Sequence, residues 1–198
     1  MDILGPLPQS AGRAKYVIVA IDYFTKWIEA KPLVRITGKE VKKFTWDNIV
    51  CRFGLPRIIV THNGTHFIND PFKKWCEQLN IQQINTAVAH PQANGLVEAA
   101  NKSLMNGIKT RLGREKAGWV DELPNILWAH RTTLKMSNGE TPFSLTYGSE
   151  AVIPADTGMP THRTMMVREG MNDEEMRLNL DLLQERREEA AIREAKYK

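Results

Sequence analysis

With 198 residues, 42% of them hydrophobic and 25% charged, the chain has room for one domain of about 150 residues and an appendage, not for two full domains. No apolar run approaches the roughly 20 residues needed to cross a bilayer as a helix, so no membrane role is expected, and MDILGPLPQS lacks the basic-then-apolar pattern of a secretory signal. The net charge of +4 leans mildly toward a polyanionic partner. The two cysteines, Cys51 and Cys76, form no CxxC pair; they read as small apolar groups in a reducing compartment and exclude a zinc site of the usual Cys/His spacing.

Residues 15–33, KYVIVAIDYFTKWIEAKPL, predict two consecutive strands, the first a Val/Ile run of the kind buried on both faces. Thr37, followed three residues later by Glu40, is a capping-box signature that opens a helix running to about Gly54. RIIVT at 57–61 predicts another buried strand, Asp70-Pro71 a helix through Leu79 with proline at its first position, and IQQINTA a further strand. Pro91–Gly95 reads as a flexible loop and 96–112 as a long helix with Val97, Leu104 and Ile108 along its apolar stripe. Residues 119–133 predict a second amphipathic helix carrying Leu123, Ile126, Leu127 and Trp128. This order makes an α/β fold with a mixed sheet flanked by helices.

After Pro160 the composition shifts. Residues 171–198 alternate acidic and basic side chains, with only Leu178, Leu180, Leu182, Leu183 and Ile192 as a thin apolar stripe. They are expected to form a charged helical extension, solvated or seeking a partner, rather than a second core. The expected organisation is a core over 1–154, a linker over 155–170 and the extension over 171–198.

Asp2, position 62 and Glu98 carry the chemistry, the last two separated by 35 intervening residues. Two-metal phosphoryl transfer needs carboxylates on a first strand, just past a central strand and on a nearby helix, holding two hard cations about 4 Å apart. Position 62 holds His62 instead of an acid. His62 and His66 flank Asn63-Gly64, a turn signal, so a helical zinc pair is not expected of them. Lys102, four residues after Glu98, shares its helix face: it either orients a DNA phosphate or simply pairs with Glu98. Lys109 extends the positive charge, and Asn94-Gly95 would let the loop move when DNA enters.

On the segments MDILGPLP, DYFTKWIEA, FGLPRIIV, NGTHF, HPQANGLVEAANK, ELPNILWAHRTT and GETPFSLTYGSEAVIP, in order over residues 2 to about 154, the chain resembles the integrase catalytic core of gypsy-type LTR retrotransposons, plant ones especially. The resemblance implies an RNase H-like fold, processing of element DNA ends and their joining to target DNA, dependence on Mg²⁺ or Mn²⁺, and nuclear work on DNA as a homo-oligomer. It implies Asp2 and Glu98 as catalytic metal ligands, and Asn94, Asn101, Lys102 and Lys109 as DNA-binding residues. The chain departs from the family where Ser-Asp-Asn-Gly becomes Thr61-His62-Asn63-Gly64. A neutral imidazole does not bridge two Mg²⁺ ions and a protonated one repels them, so weakened metal binding and impaired catalysis are expected. Asp2 follows Met1 directly, which predicts a truncated first strand and a poorly held carboxylate. The alternative is a host-retained DNA- or protein-binding module without chemistry.

Overall fold

Strand β2 (Tyr16–Ile21) pairs antiparallel with β1 (Asp2–Leu4) on one side and with β3 (Ile28–Leu33) on the other. The computed structural model describes residues 1–8, 10–85, 91–112, 118–151 and 172–197, in two units: Met1–Tyr23 with Ile28–Trp128, and Phe24–Trp27 with Ala129–Lys198. In the first unit β4 (Ile58–Thr61) pairs in parallel with β5 (Gln82–Asn85). The Met1 backbone nitrogen donates to the Val60 carbonyl, which sets β1 beside β4.

The alternation of a strand explains why YVIVAI is apolar throughout. Val17 and Val19 pack against α5 (Pro91–Leu112) and α6 (Trp119–Thr132) through Ala100, Leu104, Ile108, Leu123 and Leu127. Ile18 and Ala20 pack on the opposite face against α1 (Gly38–Phe44), α3 (Thr65–Ile68) and α4 (Phe72–Gln78), meeting Val41, Phe44, Phe67 and Phe72. The expected mixed α/β architecture is present, and β2 is its central layer.

Several local expectations change. The Thr37 hydroxyl accepts from the Glu40 amide at 3.2 Å, as the capping signature requires. The single helix expected up to Gly54 is instead α1, a π-helical stretch over Thr45–Val50, and the short α2 (Cys51–Phe53). At their junction the Thr45 hydroxyl donates to the Val41 carbonyl at 2.9 Å, competing with the amide that would continue the regular ladder. Strand β4 is not buried on both faces, since Ile58 is exposed while Ile59 is buried. Pro71 caps α4 rather than occupying its first position. Pro91–Gly95 is not a loop: α5 begins at Pro91, where a missing N–H costs nothing, and a glycine in the first turns costs only about 1 kcal/mol.

In the second unit, α7 (Pro142–Tyr147) is capped by Thr141, whose hydroxyl accepts from Ser144 N at 3.0 Å. The last turn of α7 is joined to α8 (Asn172–Tyr197) by arginine: Arg187 Nε donates to Leu145 O at 3.0 Å and Arg186 Nη1 to Gly148 O at 2.9 Å. Cations at carbonyls left over at a helix C-terminus are stabilising. The face of α8 that docks holds Leu183, Ala190 and Glu194, while Leu178, Leu180, Leu182 and Ile192 are exposed. Of the thin stripe expected there, Leu183 packs and the other four residues are exposed, so the extension is not wholly solvated. The proposed linker, 155–170, lies outside the described residues.

His130 in this unit places Nε2 3.2 Å from the Lys26 carbonyl, and burial, reinforced by Lys135, pushes its pKa from 6.5 down to about 4. A depressed imidazole favours folding only while neutral, so stability falls as pH drops from about 6.5 toward 4. The loss from this group is on the order of 3 kcal/mol. Thermal unfolding followed across that window should show a steeper decline in the native chain than in His130→Gln; parallel curves would refute the assignment.

Candidate functional site

Asp2 is fixed first by its strand, where it sits opposite Val19 of β2. Its Oδ1 accepts from the Ile3 amide at 2.7 Å, and its Oδ2 accepts from Asn101 Nδ2 at 2.6 Å. His62 Nδ1 lies 3.0 Å from Oδ1, off the line of a straight hydrogen bond. The expectation of a loosely held carboxylate is thereby reversed: two hydrogen bonds, from β1 and α5, hold it, with His62 beside it.

Asn101 is buried, 8% exposed, and turns inward from α5 to Asp2. Its amide therefore positions that carboxylate. Glu98 sits one turn earlier on α5 and is exposed, as are Lys102 and Lys109. Asn94 falls in the first turn of α5, and its side chain lies outside the described residues.

His62 leaves β4 at Thr61 and turns through Asn63-Gly64 into α3. The turn expected there is present, yet it brings His62 and His66 together, ring centroids 5.7 Å apart at 70°. Both rings rest on Phe67, which is fully buried, at 5.1 Å and 4.4 Å. The pKa of His66 is lowered, mainly by burial and further by His62, with Asp2 opposing. His66 had no assigned role in the sequence reading; a histidine four residues from His62 across a tight turn was the available signal.

Mg²⁺ takes oxygen ligands in octahedral geometry. Here both Asp2 oxygens already accept protein donors, position 62 presents nitrogen, and Glu98 projects from an exposed turn. Among the described residues no group of three or more His, Cys, Asp or Glu is disposed to hold a metal ion. The side chains do not fit a two-Mg²⁺ centre.

The chain as a whole is similar to known proteins. Residues 1–91 match the integrase core domain family. The chain is 27% identical over 154 residues to the retrovirus-related Pol polyprotein from transposon 412 of Drosophila melanogaster, covering 78% of this chain and 12% of that protein. It is 37% identical over 138 residues to the Gag-Pol polyprotein of avian reticuloendotheliosis virus, covering 69% of this chain and 12% of that protein. The chain thus spans about an eighth of the length of these two relatives. Among solved structures, the BIV integrase catalytic core superposes with a TM-score of 0.58 at 18% identity, over 73% of this chain and 90% of that one. The HTLV-2 integrase catalytic core, solved as a trimeric form in complex with magnesium, gives 0.56 at 20% identity, over 71% and 98%.

Proposed function

This chain belongs to the integrase core family of the RNase H-like superfamily, and on that premise we propose that it binds DNA along α5 but does not join DNA ends in Mg²⁺. The observation that carries the reading is His62, standing against Asp2 where the family holds its second carboxylate. An imidazole there subtracts an oxygen donor and a negative charge from the site, and Asn101 takes the outer oxygen of Asp2.

Binding requires less. Lys102, Asn106 and Lys109 follow Glu98 at spacings of four, eight and eleven residues, which places them along one exposed face of α5. That face offers two cations and an amide to a phosphate backbone, a sequence-independent grip. The substrate class is double-stranded DNA, element ends and target, met in the nucleus by a homo-oligomer.

The test is a pair of assays on the same protein. Fluorescence anisotropy should show DNA binding that weakens with salt and survives chelation of divalent ions. In Lys102→Ala/Lys109→Ala the slope of log affinity against log salt should flatten by about 2, near one unit per lost phosphate contact. A strand-transfer assay in Mg²⁺ should yield no joined product. Joining by the native chain overturns the catalytic half, and an unchanged salt slope in the double variant overturns the α5 half.

The closed Asp2–Asn101 contact also favours a second reading, a DNA-binding module retained without chemistry. Equal affinity for random duplexes and for element ends would favour that module over an integrase core working on its own ends.

A further inference from the structure

His62 and His66 point one ring nitrogen each at the same small space. The position a side-chain carbon would take on Gly64 is 3.0 Å from His62 Nε2 and 2.9 Å from His66 Nε2. Only glycine leaves that space open. His66 Nε2 is buried and has no hydrogen-bond partner, which is costly for a polar atom with nothing to bind. On the far side of the other ring, His62 Nδ1 faces the Asp2 carboxylate at 3.0 Å. That contact is not aligned as a hydrogen bond, and a small rotation of the ring is what hands the Nδ1 proton to the carboxylate and turns the Nε2 lone pair outward, the arrangement that orients metal-binding histidines.

We infer that the His62–Gly64–His66 turn is a site for one late transition-metal ion of the Zn²⁺ class, ligated by the two Nε2 atoms. Asp2 acts behind His62 as its orienting partner, not as a ligand. Imidazole pairs suit Zn²⁺, Cu²⁺ and Ni²⁺ and discriminate against Mg²⁺, which keeps its oxygen shell. The protein supplies two nitrogens, in keeping with the absence, among the described residues, of a cage of three or more ligating side chains. Water completes the coordination. This site differs from the family's carboxylate centre in its ligands, its metal class and its place, since Glu98 has no part in it and His66 does.

The inference does not depend on DNA joining or DNA binding, and its test uses neither. The full chain, freed of metal, is titrated with Zn²⁺ by isothermal titration calorimetry in the presence of excess Mg²⁺. One ion per chain is expected. His66→Ala should weaken that affinity about 100-fold, and Asp2→Asn about tenfold, the range for ligand and orienting groups. Gly64→Ala should act like His66→Ala: its φ of −66° suits alanine, so the backbone is unstrained, but the new methyl would stand 2.6 Å from His66 Cε1 and push that ring out of ligating position. Circular dichroism confirms that each variant is folded. Zn²⁺ affinity unchanged in folded His66→Ala or in folded Gly64→Ala overturns the site, as does a native chain that takes up no Zn²⁺.

Discussion

His62→Asp is expected to raise Mg²⁺-dependent DNA joining by about three powers of ten over the native chain, corresponding to roughly 4 kcal/mol of transition-state stabilisation. The substitution returns an oxygen donor and a negative charge at the end of β4, 3 Å-scale distance from a carboxylate that is already held by Ile3 N and Asn101. Without metal, two carboxylates so close repel, so the variant should unfold at a lower temperature than the native chain. Added Mg²⁺ should reverse that loss in the variant and leave the native chain unmoved, because an ion that binds only the folded state stabilises it. Thermal unfolding with and without Mg²⁺ therefore reads the site independently of joining. A variant that neither gains joining nor is stabilised by Mg²⁺ would show that position 62 is not what limits the chemistry. The same substitution should abolish the high-affinity Zn²⁺ uptake inferred for the histidine pair.

The second large effect concerns α8. Glu194 is 8% exposed and accepts from Lys26 Nζ at 2.9 Å, and Lys26 itself is 6% exposed. Glu194→Ala removes a buried carboxylate partner of Lys26 Nζ, at an expected cost of about 3 kcal/mol. The helix should then loosen at its C-terminal half, where Arg193, at 3.4 Å from Asn138 O and 3.7 Å from Glu140 Oε1, holds less firmly than the arginine contacts to Leu145 O and Gly148 O at its middle. Hydrogen exchange across 184–197 should accelerate while exchange in β2 is unchanged. Replacing both partners with apolar residues, Lys26→Met/Glu194→Leu, should recover most of the loss, since a buried charge that has lost one of its partners costs more than a well-packed apolar pair. A double variant as unstable as the single one would show that the pair stabilises α8 in its own right.

Much of the fold was readable along the chain. The strands β2 and β3, the Thr37-capped helix, the α4 and α6 helices and the long α5 all follow from apolar periodicity and local capping, which act over a few residues. Where such signals misled, a longer-range term prevailed. The loop expected at Pro91–Gly95 is the first turn of α5, because Ala100, Leu104 and Ile108 of that helix pack under β2 and loop propensity is weak by comparison. Of the thin apolar stripe of α8 only Leu183 docks, joined by Ala190 and Glu194, which apolar patterning does not mark.

At the site the division is sharper. By itself the sequence determined the family pattern: Asp2, the residue at 62, and Glu98 after 35 intervening positions, with His62 as the departure. Spacing and residue type suffice for that, since each is a property of the chain read in order. Only the tertiary structure decided what those residues touch. Asn101, 99 positions from Asp2, turns inward to hold its carboxylate, a contact set by α5 packing across β2 and β1. His66 joins His62 over Gly64 because Phe67, buried beneath them, anchors the turn from below. Contacts between distant positions depend on how layers stack, and burial energy, summed over a whole core, carries that decision rather than any motif.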